Sequence, residues 1–144
     1  MRQFLSGVAV GAVLMLAAGV GILVAVGHAL AVQDPLAKAD VIVAVSGDAG
    51  PRTETAVALE NARFTAQLMA DRGLHTAILV TSPYQKRRAS ILFLRSFAPA
   101  GLSFRNYPAR DPQWDPDHWW MTELSRTLTV IELAKLGATV VGGG

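Results

Sequence analysis

The chain has 144 residues, no cysteine and a formal net charge of +2. The lack of cysteine excludes disulfides, thiolate catalysis and cysteine-ligated metal sites. All but one of the 13 Lys and Arg residues, and all 11 Asp and Glu residues, lie beyond position 32, so that part of the chain is close to neutral. This balance does not favour nucleic-acid binding.

An uncharged apolar segment runs from Phe4 to Val32, and its clearly polar side chains are Ser6 and His28. A helix of this length exceeds the roughly 20 residues that a bilayer span requires. Residues 1–32 are therefore predicted to be a transmembrane anchor.

A cleaved signal peptide is the alternative, because Ala29-Leu30-Ala31 fits the A-x-A cleavage pattern. The apolar run is longer than the roughly 7–15 residues of a signal-peptide core, which favours the anchor. Arg2 on the short side favours a cytoplasmic N-terminus, and both interpretations place the domain outside the cytoplasm. Small residues four apart are compatible with a homodimer through this helix: Gly7 with Gly11, and Ala17 with Gly21.

Apolar strand patterns alternate with helical patterns beyond a linker at residues 33–39. The predicted strands are 40–45, 76–81 and 102–107, and the predicted helices are 52–72, 82–97 and 119–136. Continuous β-branched runs are typical of buried parallel strands. Residues 40–140 are therefore predicted to form a small three-layer α/β domain with a mostly parallel sheet of about three strands. Residues 141–144 are predicted to be a flexible tail.

Two loops at the carboxyl ends of the first two strands are candidate ligand sites, because ligands bind at these ends in open α/β sheets. The first loop, Gly47 to Arg52, offers backbone N–H groups and a guanidinium to an anion. An ordinary strand-to-helix turn is the alternative, and it is favoured when this loop is considered alone.

The second loop joins two hydroxyls, Thr81 and Ser82, to a helix start and to the guanidinium of Arg88. This combination suits a phosphate or carboxylate. A helix capped by Ser82, with Pro83 in its first turn and a solvated basic face, explains the same residues equally well.

Other polar residues carry weaker signals. Glu60 and Asn61 are interpreted first as a surface carboxylate and a partly buried amide, and Glu132 with Lys135 as an i,i+3 ion pair. No catalytic residue is assigned, since no G-x-S-x-G elbow occurs. No metal site is predicted, because these ligand-type residues follow no known spacing: Asp111, Asp115, Asp117 and His118.

Several stretches carry a family resemblance: the anchor, Ala39–Val43, Thr81–Ala89 with the letters T-S-P-Y-Q-K-R-R-A, Trp114, and Glu132–Lys135. Together they resemble the YdcF/SanA/ElyC-like family of bacterial envelope proteins, which contain a domain of unknown function. The resemblance covers nearly all of residues 33–136, and the stretch after the second strand is its most specific part.

The resemblance implies a Rossmann-like fold, a single-pass anchor in the bacterial inner membrane and a periplasmic domain. It implies a role in peptidoglycan or lipid-carrier metabolism and in the barrier to large antibiotics. The expected partners are the lipid bilayer and a phosphorylated or lipid-linked envelope precursor. S-adenosylmethionine binding is proposed for one soluble branch, and no reaction is established for the family as a whole. A non-catalytic envelope scaffold, or a degraded family copy, is the alternative function.

The predicted ligand-binding residues lie in the two loops and on one helix: Gly47, Asp48, Arg52, Glu60, Asn61, Thr81, Ser82, Tyr84, Gln85 and Arg88. All but Asp48 and Gln85 match family motif positions. Gln85 stands where the family often has His, and Gln cannot titrate. Ala58 replaces a family Thr. A strand–helix–strand segment between Arg52 and Glu60 is also missing relative to the family, which predicts an exposed sheet edge and an uncovered sheet face.

Overall fold

The computed structural model describes residues 2–45 and 53–142, with the backbone alone for residues 2–9 and 53–56. Seven elements follow in chain order: α1 (Arg2–Leu30), β1 (Val41–Ala44), α2 (Thr53–Asp71), β2 (Thr76–Thr81), α3 (Lys86–Phe97), β3 (Ser103–Pro108) and α4 (Glu123–Val141). Short 3₁₀ turns at Pro83–Gln85 and Ala98–Ala100 flank α3. The chain is therefore an α/β protein with an N-terminal apolar helix, as predicted.

The three strands form one parallel sheet in the order β1-β2-β3. Val41 lies opposite Ala77, and Ala77 lies opposite Phe104. The predicted strands are confirmed to within a residue or two at their ends. β1 has no neighbour on its outer side among the described residues.

Asp40 joins the starts of β1 and β2. Its carboxylate accepts hydrogen bonds from the backbone N–H groups of His75 and Thr76, both at 2.8 Å, and from the Thr76 hydroxyl at 2.9 Å. These bonds favour the charged carboxylate and lower the pKa of Asp40. The single charge that precedes the first apolar strand thus fixes where the two parallel strands begin.

One face of the sheet carries the hydrophobic core. Alternate residues of the strands, including Ala77 and Leu79, face this core, as expected for a period of two. Side chains of α2 and α3 cover them: Ala62, Ala66, Met69, Ala89, Phe93 and Phe97. The rings of Phe97 and Phe104 meet edge to face, with centroids 5.7 Å apart.

The opposite face of the sheet has no helix on it in the described parts of the chain. Ile42 is 68% exposed and Tyr107 38% exposed, while Ile78 and Val80 are half-buried. The predicted third layer is therefore wrong for these residues. Consecutive parallel strands added in one direction, with right-handed crossovers, place both helices on the same face. The uncovered face expected from the missing segment agrees with this arrangement.

The ends of the helices follow from local residues. Gly73 follows α2 with a φ of +63°, as predicted for a helix-terminating glycine. The last helix begins four residues later than predicted, because the hydroxyl of Thr122 accepts a hydrogen bond from Ser125 N and caps it. It also continues to Val141, so the helix enters the predicted tail.

Residues 33–39 were predicted to be a linker, and the structure fixes them against β3. Asp34 N donates to the Asn106 carbonyl at 2.9 Å, and Asn106 N donates to the Asp34 carboxylate at 2.7 Å. Arg105 Nη1 also donates to the Pro35 carbonyl at 3.2 Å. The connection between α1 and the sheet is thus hydrogen-bonded along its first half.

Candidate functional site

The carboxyl ends of β1 and β2 lie side by side. Thr81 Oγ1 donates to the Val45 carbonyl at 2.8 Å, and Thr81 is buried. The strand ends that precede the two predicted loops therefore lie next to each other. Of the first loop, Gly47, Asp48 and Arg52 lie outside the described residues.

Ser82 follows β2 directly and is half-buried. Its carbonyl accepts a hydrogen bond from Gln85 N at 3.1 Å, which closes the 3₁₀ turn. Ser82 is the N-cap residue of this turn and Pro83 lies in its first turn, as predicted, but the Ser82 side chain makes no capping hydrogen bond. The chain enters α3 through a 3₁₀ turn, in which a backbone i→i+3 hydrogen bond takes the place of a side-chain cap.

Arg88 lies inside the protein. Its side chain is 5% exposed, and its Nε donates to an equally buried oxygen of Glu132 on α4. Arg88 Nη2 lies 3.4 Å from the other oxygen of the same carboxylate. This placement differs from the predicted role, in which the Arg88 charge faces a ligand. The sequence did not reveal the burial of Arg88, because its partner Glu132 lies on α4, 44 positions further along the chain.

Tyr84 and Gln85 also turn into the protein. The half-buried ring of Tyr84 packs against Trp114, with centroids 6.0 Å apart. Gln85 is buried. Of the second loop, Thr81 and Ser82 therefore stay nearest the strand edge.

Glu60 and Asn61 are exposed on α2, whereas the next residue, Ala62, is fully buried. The exposed Glu60 agrees with its interpretation as a surface carboxylate. Asn61 was expected to be partly buried and is not. Adjacent positions on a helix are about 100° apart, which leaves both polar side chains beside the buried stripe.

Lys86 is a buried cation that the sequence did not single out. It is fully buried, and its Nζ donates to the Leu79 carbonyl. Burial lowers the pKa of Lys86 to about 8, and the nearby charge of Asp34 opposes this shift. The helical period could have predicted this burial. Lys86 lies three residues before Ala89 and seven before Phe93, so it shares the helix face of these two core residues.

A second buried cluster joins the end of α1 to the domain. Leu30, Trp114 and Trp119 form its centre, with Leu23 and Val26 packed around them. Trp114 Nε1 donates to Thr129 Oγ1 at 2.8 Å, so the cluster also holds α4. Sequence analysis placed Trp114 only within the resemblance, although three tryptophans within seven residues were a signal for such a cluster.

Polar contacts hold α1 in place at this cluster. Trp119 Nε1 donates to the Leu23 carbonyl at 2.8 Å, and His28 Nε2 lies 2.8 Å from Asp117 Oδ1. Arg87 Nε donates to the Ala29 carbonyl at 2.7 Å. The last two turns of α1 are therefore part of the domain.

The loop before α4 and the end of α1 border an open cleft of about 610 Å³. Its acidic residues are engaged in local turns: Asp111 Oδ1 accepts from Gln113 N at 2.9 Å, and Asp115 Oδ1 accepts from Asp117 N at 2.7 Å. Within residues 2–45 and 53–142, no three His, Asp or Glu side chains are grouped as a metal site would need.

No protein-family model, curated protein or solved structure matches this chain. The candidate site is the carboxyl end of β2 with Thr81 and Ser82, and the second buried cluster lies on the helical turn that follows them.

Proposed function

We propose that this chain is a membrane-anchored bacterial envelope protein of the YdcF/SanA/ElyC-like kind. Its Rossmann-like domain binds a small anionic ligand, phosphorylated or lipid-linked, at the carboxyl ends of β1 and β2, on the periplasmic side. The observation that supports the proposal is the hydrogen bond from Thr81 to the Val45 carbonyl, because it joins the carboxyl ends of β1 and β2, where the two predicted ligand loops begin.

The anchor part of the proposal is supported by α1. Its stretch Val10–Leu30 is long and apolar enough to cross a membrane, with a mean hydropathy of 2.5. The alternative, signal-peptide cleavage after Ala31, would remove Leu30, which is 1% exposed at the centre of the second cluster. A segment that contributes a core side chain is better explained as a permanent anchor than as a cleaved leader.

The ligand part of the proposal is supported by topology. The elements from β1 to β3 form a β-α-β-α-β unit with parallel strands. Such a unit is one half of a doubly wound fold, in which ligands bind at the strand ends. Arg52 directly precedes α2, and Ser82 precedes the turn into α3. Because Arg88 is paired with Glu132, Arg52 is the cation of choice for the ligand.

Calorimetric titration of the full chain in nanodiscs tests the ligand part. The probes are a short-chain polyprenyl phosphate, inorganic phosphate and S-adenosylmethionine. We expect Arg52→Ala to weaken binding of the phosphorylated probe at least tenfold with an unchanged melting temperature. The matched control is Arg72→Ala, beyond the other end of α2, which keeps the affinity. Unchanged affinity in Arg52→Ala would remove the ligand proposal.

A non-catalytic scaffold is the second candidate function, and the uncovered sheet face favours it. Ile42 is 68% exposed on an edge strand, next to half-buried Ile78 and Val80. Exposed apolar strands of this kind are typical of interaction sites. In that case Ile42→Lys abolishes function in the envelope, whereas Arg52→Ala does not.

A further inference from the structure

Helix α1 has two parts with different surroundings. Every described residue from Ala12 to Ile22 is exposed, with Leu16 at 72%. From Leu23 onward, the helix contacts the domain: Leu23, Val26 and Leu30 belong to the second cluster, and the Leu23 carbonyl accepts a hydrogen bond from Trp119. Between Ala12 and Ile22, in contrast, the described side chains have no protein around them.

The part of α1 that precedes Leu23 matches a bilayer in length. From Arg2 to Ile22 a helix rises about 30 Å at about 1.5 Å per residue. The hydrocarbon core of a bilayer is about 30 Å thick. If α1 spans the membrane, the membrane boundary therefore lies at Leu23, and the docked turns up to Leu30 lie outside the hydrocarbon.

The domain cannot swing freely about this boundary. A Cβ added at Gly27 would lie 2.1 Å from the Pro116 carbonyl oxygen, so helix and loop backbones are in direct contact there. His28 and Asp117 bind each other beside this contact. After the helix, Asp34 is bonded to Asn106 of β3.

The residues nearest the boundary are suited to a lipid interface. Trp119 donates its indole N–H to the Leu23 carbonyl, and the ring of Trp120 meets it edge to face at 6.0 Å. Met121 follows with 66% of its side chain exposed. Tryptophan is enriched at membrane–water interfaces because its ring is apolar and its N–H is polar.

We propose that Trp120 and Met121, here called the Trp corner, contact the headgroup layer of the bilayer and hold the domain against the membrane in one orientation. Trp119 is buried behind them, at 7% exposed, and its bond to the Leu23 carbonyl positions the Trp corner beside α1. This inference rests on the proposed role of α1 as a membrane span. The bilayer is the occupant because the Trp corner is continuous with the helix residue at which the span ends.

Single-cysteine labelling tests the inference cleanly, because the natural chain has no cysteine. Met121→Cys, Leu16→Cys and Ala70→Cys each carry a polarity-sensitive fluorophore in phosphatidylcholine nanodiscs with spin-labelled lipid. Ala70 is the matched control, an exposed residue near the end of α2 and so at the opposite edge of the sheet. We expect several-fold stronger lipid quenching at position 121 than at position 70, and deep quenching at position 16.

Each outcome is decisive. Quenching at position 16, with equal quenching at positions 121 and 70, would overturn the inference and leave the anchor intact. No quenching at position 16 would remove the anchor proposal and the inference with it. A label at position 121 that is shielded from both spin-labelled lipid and aqueous iodide would place a second copy on the Trp corner, against the inference.

A second variant separates docking from spanning. Gly27→Ala forces helix and loop apart, so quenching at position 121 is expected to fall while quenching at position 16 stays unchanged. Gly21→Ala is the matched control, because a Cβ at Gly21 meets nothing within 4 Å. Equal quenching at position 121 in both variants would show that the docked turns do not orient the domain.

Discussion

Two neighbouring cations, Lys86 and Arg88, are buried at the start of α3 by different means. Arg88 has a carboxylate partner in Glu132, whereas Lys86 has the Leu79 carbonyl and a lowered pKa. A buried charge without compensation is costly, so each arrangement has a measurable consequence for stability.

Removing one partner of the buried ion pair should destabilise the fold. We expect Glu132→Gln to lower the free energy of unfolding by about 3–5 kcal/mol, because it removes the buried negative charge opposite the guanidinium of Arg88. The double variant Arg88→Met/Glu132→Leu should recover most of this loss. Chemical denaturation of the full chain in detergent measures both, and wild-type stability in Glu132→Gln would contradict the structural role.

The buried Lys86 is expected to make the free energy of unfolding depend on pH. Its pKa is about 8 in the folded chain against an ordinary 10.5, so the folded state binds fewer protons between these values. The free energy of unfolding should therefore rise from pH 8 to pH 10.5, by at most about 3 kcal/mol, with no contribution to the slope below pH 8. Lys86→Met should lack this rise, whereas Lys38→Met, at an exposed site, should keep it. Identical pH profiles in the two variants would contradict the account.

The sequence predicted where Thr81 and Ser82 lie along the sheet, but it did not predict which charged side chains near them are buried. Thr81 and Ser82 were located at a strand end from their position after an apolar run. Arg88 was assigned to a ligand because its partner Glu132 is 44 positions away, and no local pattern reveals such a pair. Lys86 was assigned to the basic stretch after β2 and its burial was not predicted, because a charge usually marks a solvated face.

Among the elements, the docked end of α1 gives the sharpest stability test. Leu30 is 1% exposed in the second cluster, whereas Leu16 is 72% exposed on the same helix. We expect Leu30→Ala to cost about 2–5 kcal/mol through lost burial and a cavity. Leu16→Ala, the matched control, should leave the melting temperature of the domain unchanged. Equal melting temperatures would mean that α1 is not part of the folded unit.

The two faces of β1 give a second test. Val43 packs against the core, whereas Ile42 lies on the uncovered face. Val43→Thr should lower the free energy of unfolding by about 1–3 kcal/mol, because it buries a hydroxyl. Ile42→Thr should change it by about 0.5 kcal/mol or less, as for other exposed sites. A large loss in Ile42→Thr would show that another chain covers this face.

The sequence predicted the strands and helices themselves, but it did not predict which faces of the sheet the helices cover. The strands were found because buried parallel strands are continuous apolar runs. The third layer was predicted from the alternation of apolar strand patterns with helical patterns, which is typical of sheets covered on both faces. A sheet that grows in one direction only, from β1 to β3, has its right-handed crossovers on one face, and strand order cannot be read from local sequence.

For the whole molecule, the end of α1 and the α/β domain form one unit. The last two turns of α1 carry core side chains, and the segment after it is bonded to β3. The sequence predicted the apolar helix from composition but assigned residues 33–39 to a linker. The contacts that fix it, such as Asp34 with Asn106, join positions 72 apart and have no local signature.

The central claim is that α1 remains attached and spans the membrane. The most direct measurement is carbonate extraction of membranes from bacteria that produce the full chain, followed by mass determination of the purified protein. The account predicts protein in the membrane pellet with the apolar segment intact. Soluble protein that begins at Val32, after cleavage behind Ala31, would contradict it.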